Sequence, residues 1–235
     1  MARRARVDRT AVVDAAVRLV NAEGAGALSL SRVAGELGVR TPSLYNHIDG
    51  LPGLQRELAL RNAQMLADAF ADAAIGKAGA DAVVALAQAF RAYIKANPGL
   101  YLAGQDVTDL TAGDDAALRA AMDRSVRIVA AVMASFGLEG DDALHAVRAL
   151  RATVHGFATL EVAGGFGLPL DCDESFRRLV QMLIVGLQRR SGLTLCSSRR
   201  NKRQVAVMIE NVDRPIAGHS GAENAKVVER TVVGD

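Results

Sequence analysis

Only two cysteines, Cys172 and Cys196, occur in the 235 residues, far apart and without a paired Cys or His spacing. Neither a disulfide framework nor a zinc site can be built on them, and the cytoplasm is the natural compartment. No apolar run approaches the roughly eighteen uncharged residues needed to cross a bilayer, so no membrane segment is expected. None follows the N-terminal arginines either, as a signal peptide would require. Charge of one sign is also missing: the formal net charge is +2, too small to announce a nucleic-acid binder by itself. No carboxylate pair, nucleophile with its base, or cofactor pattern can be assembled, so catalytic residues and cofactors are not expected. The glycines of Gly164–Gly167 follow no strand and match neither GxGxxG nor the P-loop pattern. Asp142 and His145 share a helix face, but the partners of a di-iron bundle are absent, so no metal is expected.

What is present is apolar and helical. Half of the residues are hydrophobic, and the length suffices for two domains with a sizeable core. From Leu51 onward the chain is rich in alanine and leucine with almost no strand-like alternation, and turn signals cut it into helix-length pieces. The fold class is therefore all-α. Helices are predicted over about 51–75 and 81–96, the second ended by Asn97-Pro98-Gly99, with short irregular structure near Tyr101. Further helices are predicted over about 114–136, from an Asp141 cap to the break at Gly164–Pro169, and over about 174–190 after Asp171 or Asp173.

The N-terminal part carries the most specific pattern. An amphipathic helix from Arg9 to Glu23 is followed by a glycine-alanine linker and by Ser29, whose hydroxyl can cap a second helix bearing Leu30, Val33, Ala34 and Leu37. Gly38 supplies a turn. Thr41 can cap the next helix with Pro42 at its first position. There Leu44 and Ile48 share one face, while Ser43, Asn46 and His47 turn hydrogen-bonding groups outward. A short polar helix held by a tight turn fits the major groove of duplex DNA, and Arg40, Ser43 and Asn46 have suitable chemistry for base edges. Ahead of it, residues 1–9 hold four arginines against one aspartate. Such a basic arm, with Arg4 and Arg6, can reach phosphates or the minor groove.

The run from Gly38-Val39 to Leu44-Tyr45-Asn46-His47-Ile48 resembles the helix-turn-helix signature of TetR-type transcriptional regulators, and the likeness covers roughly the first sixty residues. It implies an N-terminal three-helix DNA-binding domain over 6–66, with the motif at about 29–48. It also implies that Arg40, Thr41, Ser43 and Asn46 approach base edges while Ser29, Tyr45 and His47 hold phosphates, with Ser31 beside them. One departure is Leu51, where the family often places a phosphate-binding lysine; backbone amides there can still serve.

A second likeness lies between Arg151 and Leu187, where Val154-His155-Gly156-Phe157 and the run Ala163–Asp171 resemble the WHG-type effector domain of one TetR subgroup. Val154 stands in the place of the tryptophan that names it. The expectation for 67–190 is a helical bundle for effector binding and dimerisation. A cavity lined by Phe90, Tyr101, Met122, Val126, His155 and Phe157 would suit a small hydrophobic molecule. His155 has a second reading, preferred on residue grounds: a core histidine satisfied by one partner. The last helix aligns Phe176, Leu179, Val180, Leu183 and Leu187, and the preceding helix has a comparable stripe; the two can bury these stripes against each other or, as the resemblance implies, against the same pair in a homodimer. Residues 191–235 lose the periodicity and are expected to be poorly ordered, their basic run adding non-specific phosphate contacts.

The combined expectation is a sequence-specific regulator, a one-component repressor that binds a palindromic double-stranded operator as a dimer and is released by a small effector. A DNA-binding regulator without an effector stays open, and a helical-bundle enzyme is the less favoured alternative.

Overall fold

The computed structural model describes residues 7–106 and 115–194, with side chains over 7–105 and 115–189, and all regular structure among them is helical. Arg4, Arg6 and the basic run at 197–203 lie outside the described residues. Helix α1 (Arg9–Glu23) opens on Asp8, whose carboxylate accepts from the Ala11 amide at 2.9 Å, and closes at Gly24. Helix α2 (Leu30–Glu36) opens on Ser29, whose Oγ accepts from the Arg32 amide at 3.4 Å. A 3₁₀ segment (Thr41–Asn46) follows, then α3 (Gly50–Ala74), α4 (Gly79–Ala96), α5 (Pro98–Asp106), α6 (Ala116–Ala134), α7 (Gly140–Val162) and α8 (Cys172–Thr194).

Several expectations need correction. Tyr101 sits in a helix rather than in irregular structure: Pro98 both stops α4 and starts α5, since a proline costs no hydrogen bond in a first helical turn. The Tyr101 amide closes that turn on the Asn97 carbonyl at 2.9 Å. Asp141 does not cap α7; the cap position is Glu139, and Asp141 lies in the first turn, where its charge suits the helix N-terminus. Of the two aspartates offered for α8, Asp171 accepts from the Asp173 amide at 2.8 Å. Asp173 turns instead to Arg91. Arg9, counted with the basic arm, begins α1 and pairs with Glu57 of α3.

Two apolar clusters organise the described chain. One is formed by Val12, Val13, Leu19, Val20, Val33, Leu44, Ile48, Leu54 and Leu58, and it is closed by Leu100 and Ala103 of α5. The other fills the bundle of α3, α4, α6, α7 and α8, and Met65 of α3 packs against both. Helix α5 reaches the first cluster because position 99 has no side chain: a Cβ there would lie 1.7 Å from the Val20 carbonyl oxygen. Asn21 fixes the contact, its Oδ1 accepting from the Leu100 amide at 2.9 Å.

Among the described residues the bundle holds one buried cation. Arg91 is 5% exposed and meets Glu161 through two hydrogen bonds of 2.7 Å, with Asp173 at 2.8 Å. Its guanidinium lies 4.8 Å from the Phe176 ring centre and 5.5 Å from that of Phe157. A planar, bidentate donor that also stacks on rings fits this place where lysine would not. The Arg91 hydrogen bonds, aided by Lys95, hold Glu161 down at about 2 against the opposing effect of burial. Because the folded pKa lies below the ordinary 4.5, the stabilisation is complete above about pH 4.5 and lost as pH falls toward 2. Unfolding free energy followed by urea melts across that window should fall by on the order of 3 kcal/mol from this group. Glu161→Gln should flatten that part of the profile, and an unchanged slope would show that the pair does not govern acid stability.

Candidate nucleic-acid interface and central cavity

Gly38, at φ 65°, turns the chain out of α2 through a conformation that favours glycine. Arg40 then occupies the cap position of the next segment without a side-chain bond, so Thr41 is not the cap expected of it. The segment is 3₁₀ rather than α-helical: the Ser43 amide bonds the Arg40 carbonyl and the His47 amide the Leu44 carbonyl, each at 2.9 Å. A repeat of three stacks residues i and i+3. Thr41, Leu44 and His47 therefore share the packed edge, with Leu44 fully buried and the other two half-buried. Ser43 and Asn46 share an exposed edge, and Tyr45 beside them is 60% exposed. His47, expected outward with Ser43 and Asn46, thus lies on the inner side.

The exposed groups of the putted-out edge, Arg40, Ser43, Tyr45 and Asn46, are joined by Ser31 at the start of α2. The Ser29 hydroxyl is already used as a cap and lies 3.3 Å from the Ser31 hydroxyl. Ion pairs between α1 and α3, Arg9 with Glu57 and Asp14 with Arg61, seat this assembly on the long helix.

A cavity of about 110 Å³ lies farther along α3. Phe90, Tyr101, Met122 and Val126 line it, as the sequence suggests. His155 and Phe157 do not. Tyr101 fills the space before His155, its hydroxyl 2.8 Å from Nδ1. Burial pushes the Tyr101 phenol up to about 12. Burial first, and the Arg151 charge second, lower His155. Both groups are neutral near pH 7, so the phenol donates and the imidazole accepts. Phe157 turns to the other side of α7, its ring 4.7 Å from Phe166 and 5.1 Å from Phe176.

Sequence reasoning missed the share of α3, which contributes Ala59, Asn62, Ala63, Leu66 and Phe70 to the wall, and it missed Gly104, Ser125 and Arg151. Asn62, only 5% exposed, accepts from the Tyr93 hydroxyl at 2.7 Å and packs under Gly104, where a Cβ would lie 2.6 Å from its Nδ2. A buried asparagine amid helix formers was the available signal.

The stripe expected to dimerise is also placed differently. Phe176, Val180 and Leu187 are buried in the core of their own chain, with Leu179 and Leu183 half-buried. A helix at a bundle edge has two faces to cover, and the more apolar one has turned inward. The outward face carries Met182, Val185 and Gly186, and α7 exposes Ala149, Ala152 and Leu160.

Comparison with known proteins agrees with this geometry. Residues 83–183 match the family model described as tetracyclin repressor-like, C-terminal domain. An uncharacterized HTH-type transcriptional regulator of Mycobacterium tuberculosis is 34% identical over 191 residues, covering 81% of this chain and 86% of the relative. The chain belongs to the TetR family. A second relative, the uncharacterized HTH-type transcriptional regulator YobS of Bacillus subtilis, is 33% identical over 75% of this chain and 90% of its own. The fold is shared with a TetR variant of Acinetobacter baumannii solved with minocycline, at TM-score 0.60 and 21% identity over 79% of this chain and 99% of that one.

As a TetR-family member the protein is a DNA-binding transcriptional regulator, not an enzyme. No helix among the described residues is long and apolar enough to cross a membrane. Val154 is fully buried on α7, in the core of the bundle. Burial separates two kinds of TetR residue in the reading segment. Leu44→Ala should destabilise the fold by about 2 to 5 kcal/mol in a denaturant melt, by cavity formation. Tyr45→Ala should leave the melt within about 0.5 kcal/mol of the parent while weakening binding to operator DNA in a fluorescence titration. Equal losses of stability would show that Tyr45 is core.

Proposed function

We propose that this regulator is a homodimeric one-component repressor that binds a palindromic operator and is released by a small hydrophobic effector. In this reading residues 6–66 form the DNA-binding domain and 67–190 the effector-binding and dimerisation domain. Arg40, Ser43 and Asn46 read base edges. Ser29, Ser31 and Tyr45 hold phosphates, with Thr41 and His47 supporting the segment from its packed edge. The single observation that carries the proposal is the course of α3. Its Leu54 and Leu58 are in the core of the reading head, and from the next residue onward its Ala59, Asn62, Ala63, Leu66 and Phe70 wall the cavity.

A molecule in the cavity therefore touches the helix on which the head is mounted. It also touches α5, which offers Tyr101 and Gly104 to the cavity and Leu100 and Ala103 to the head. Two rigid elements thus share both sites, and a ligand that prefers one spacing of the heads shifts the population toward it. The shift is limited by the difference in its affinity for the two states. The tetracycline-class ligand in the A. baumannii structure shows the fold accommodating a small molecule in another member.

Dimerisation is assigned to the outward faces of α7 and α8. Met182, Val185 and Gly186 follow helical spacing, and Ala149, Ala152, Gly156 and Leu160 make a stripe of mostly small residues beside them. A Cβ at Gly156 or Gly186 would meet nothing within 4 Å, so the backbones are open to close approach. A two-fold pairing of such faces buries an apolar surface that a monomer would leave in water.

Selection of operators from a random duplex pool tests the whole reading. The parent chain should enrich a palindrome, and Asn46→Ala and Arg40→Ala should each lose about 1 to 3 kcal/mol of discrimination. Val185→Glu should shift sedimentation toward a monomer and abolish the two-half-site preference. A palindrome bound equally well by that variant would move the interface elsewhere, and binding that only tracks salt would remove the regulator mechanism proposed here.

A further inference from the structure

Among the described residues the cavity wall carries a single formal charge. Among the lining residues only Arg151 is ionised, and none is acidic. Arg151 is exposed, which places it where the cavity meets solvent. One N–H of its guanidinium is donated to the neutral Gln105 Oε1 at 2.6 Å, and among the described residues it makes no salt bridge. The remaining wall is largely hydrocarbon and ring, with Phe70 and Phe90 edge to face at 5.4 Å. The Arg151 charge is felt at both Tyr101 and His155, where it opposes the upward push of burial on the phenol and adds to the downward push of burial on the imidazole.

We propose that the cavity binds a small apolar carboxylic acid, its hydrocarbon part between Phe70, Phe90, Met122 and Val126 and its carboxylate paired with Arg151. The inference deepens the effector reading and rests on that cavity being a ligand site, though not on ligand binding releasing DNA. A carboxylate suits a single guanidinium, which offers it a planar two-donor edge and balances one negative charge. A phosphate ester would need a second cation, and an amine would face the guanidinium. A cavity of about 110 Å³ is of the order that takes up a single aromatic ring, so one-ring acids are suitable probes.

Calorimetric titration of the full chain at pH 7 tests this with benzoate and phenylacetate as probes, and with benzyl alcohol and benzylamine as matched skeletons. The acids should bind about tenfold more tightly than the alcohol, and the amine more weakly than either. Arg151→Gln should remove that advantage by weakening the acids, with the alcohol far less affected. Val126→Phe, which fills the cavity from a partly exposed position, should weaken acid and alcohol alike, with circular dichroism melts confirming that both variants fold. Equal affinity for acid and alcohol, an acid advantage that survives Arg151→Gln, or no binding by any probe would overturn the proposal. Operator retention is measured in the same samples. Acid binding that leaves the operator bound would sink the effector reading alone, and operator release by the alcohol with no preference for the acids would sink this inference alone.

Discussion

The contact on which the rest of the structure depends is the seat of α5 on α1. Helix backbones ordinarily stand apart by the thickness of their side chains. Here Gly99 removes that spacer, and the α5 backbone rests directly on the Val20 carbonyl. Leu100 and Ala103 can then complete the core of the reading head, while Tyr101 and Gly104, on the other side of the same short helix, close the cavity. Asn21 and Asn97 lock the arrangement with hydrogen bonds that no apolar residue could supply. The head is consequently not an appendage on a linker. It shares α5 and α3 with the bundle, and in the proposed function that sharing is the mechanical path from the cavity to the exposed edge of Arg40, Ser43 and Asn46.

The bundle answers a different problem, how to fix the order of helices whose buried stripes are mostly aliphatic. Apolar stripes of this kind can pack in several registers at similar energy. Arg91 reduces the choice. A buried guanidinium must meet its carboxylate, and the arrangement that brings Glu161 of α7 and Asp173 in the first turn of α8 to α4 satisfies it. Phe157 and Phe176 stack against the same group, so the aromatic residues expected in a ligand pocket are used to shield an ion pair. The cavity is left to Phe70, Phe90 and Tyr101 with one cation at its rim.

Much of the fold was legible because its signals are local. The Ser29 cap, the Gly38 turn and the positions of α3, α4, α6, α7 and α8 follow from capping chemistry and a 3.6-residue apolar period, both read within a few neighbours. The misreadings share a cause. Pro98 was read only as an ending because whether it also begins a helix depends on Asn97 and on the partner that Gly99 meets. The 3₁₀ character of Thr41–Asn46 escaped because six residues are too few for a periodicity to declare itself. The stripe on α8 was visible, but periodicity gives the existence of an apolar face and not the body against which it packs.

By itself, then, the sequence determined a helical chain with a capped, glycine-turned reading segment, and its motif placed it among TetR-type regulators. Those properties are encoded in residue type and spacing along one segment. Tertiary structure alone decided that His155 stands behind Tyr101, that α3 walls the cavity, that Arg151 is the one charge among its described lining residues and that Met182 and Val185 rather than Val180 face outward. Each of these depends on which of several chemically equivalent surfaces meets which, and that choice is made by long-range packing and by the need to pair a buried charge, neither of which a single stretch of sequence contains.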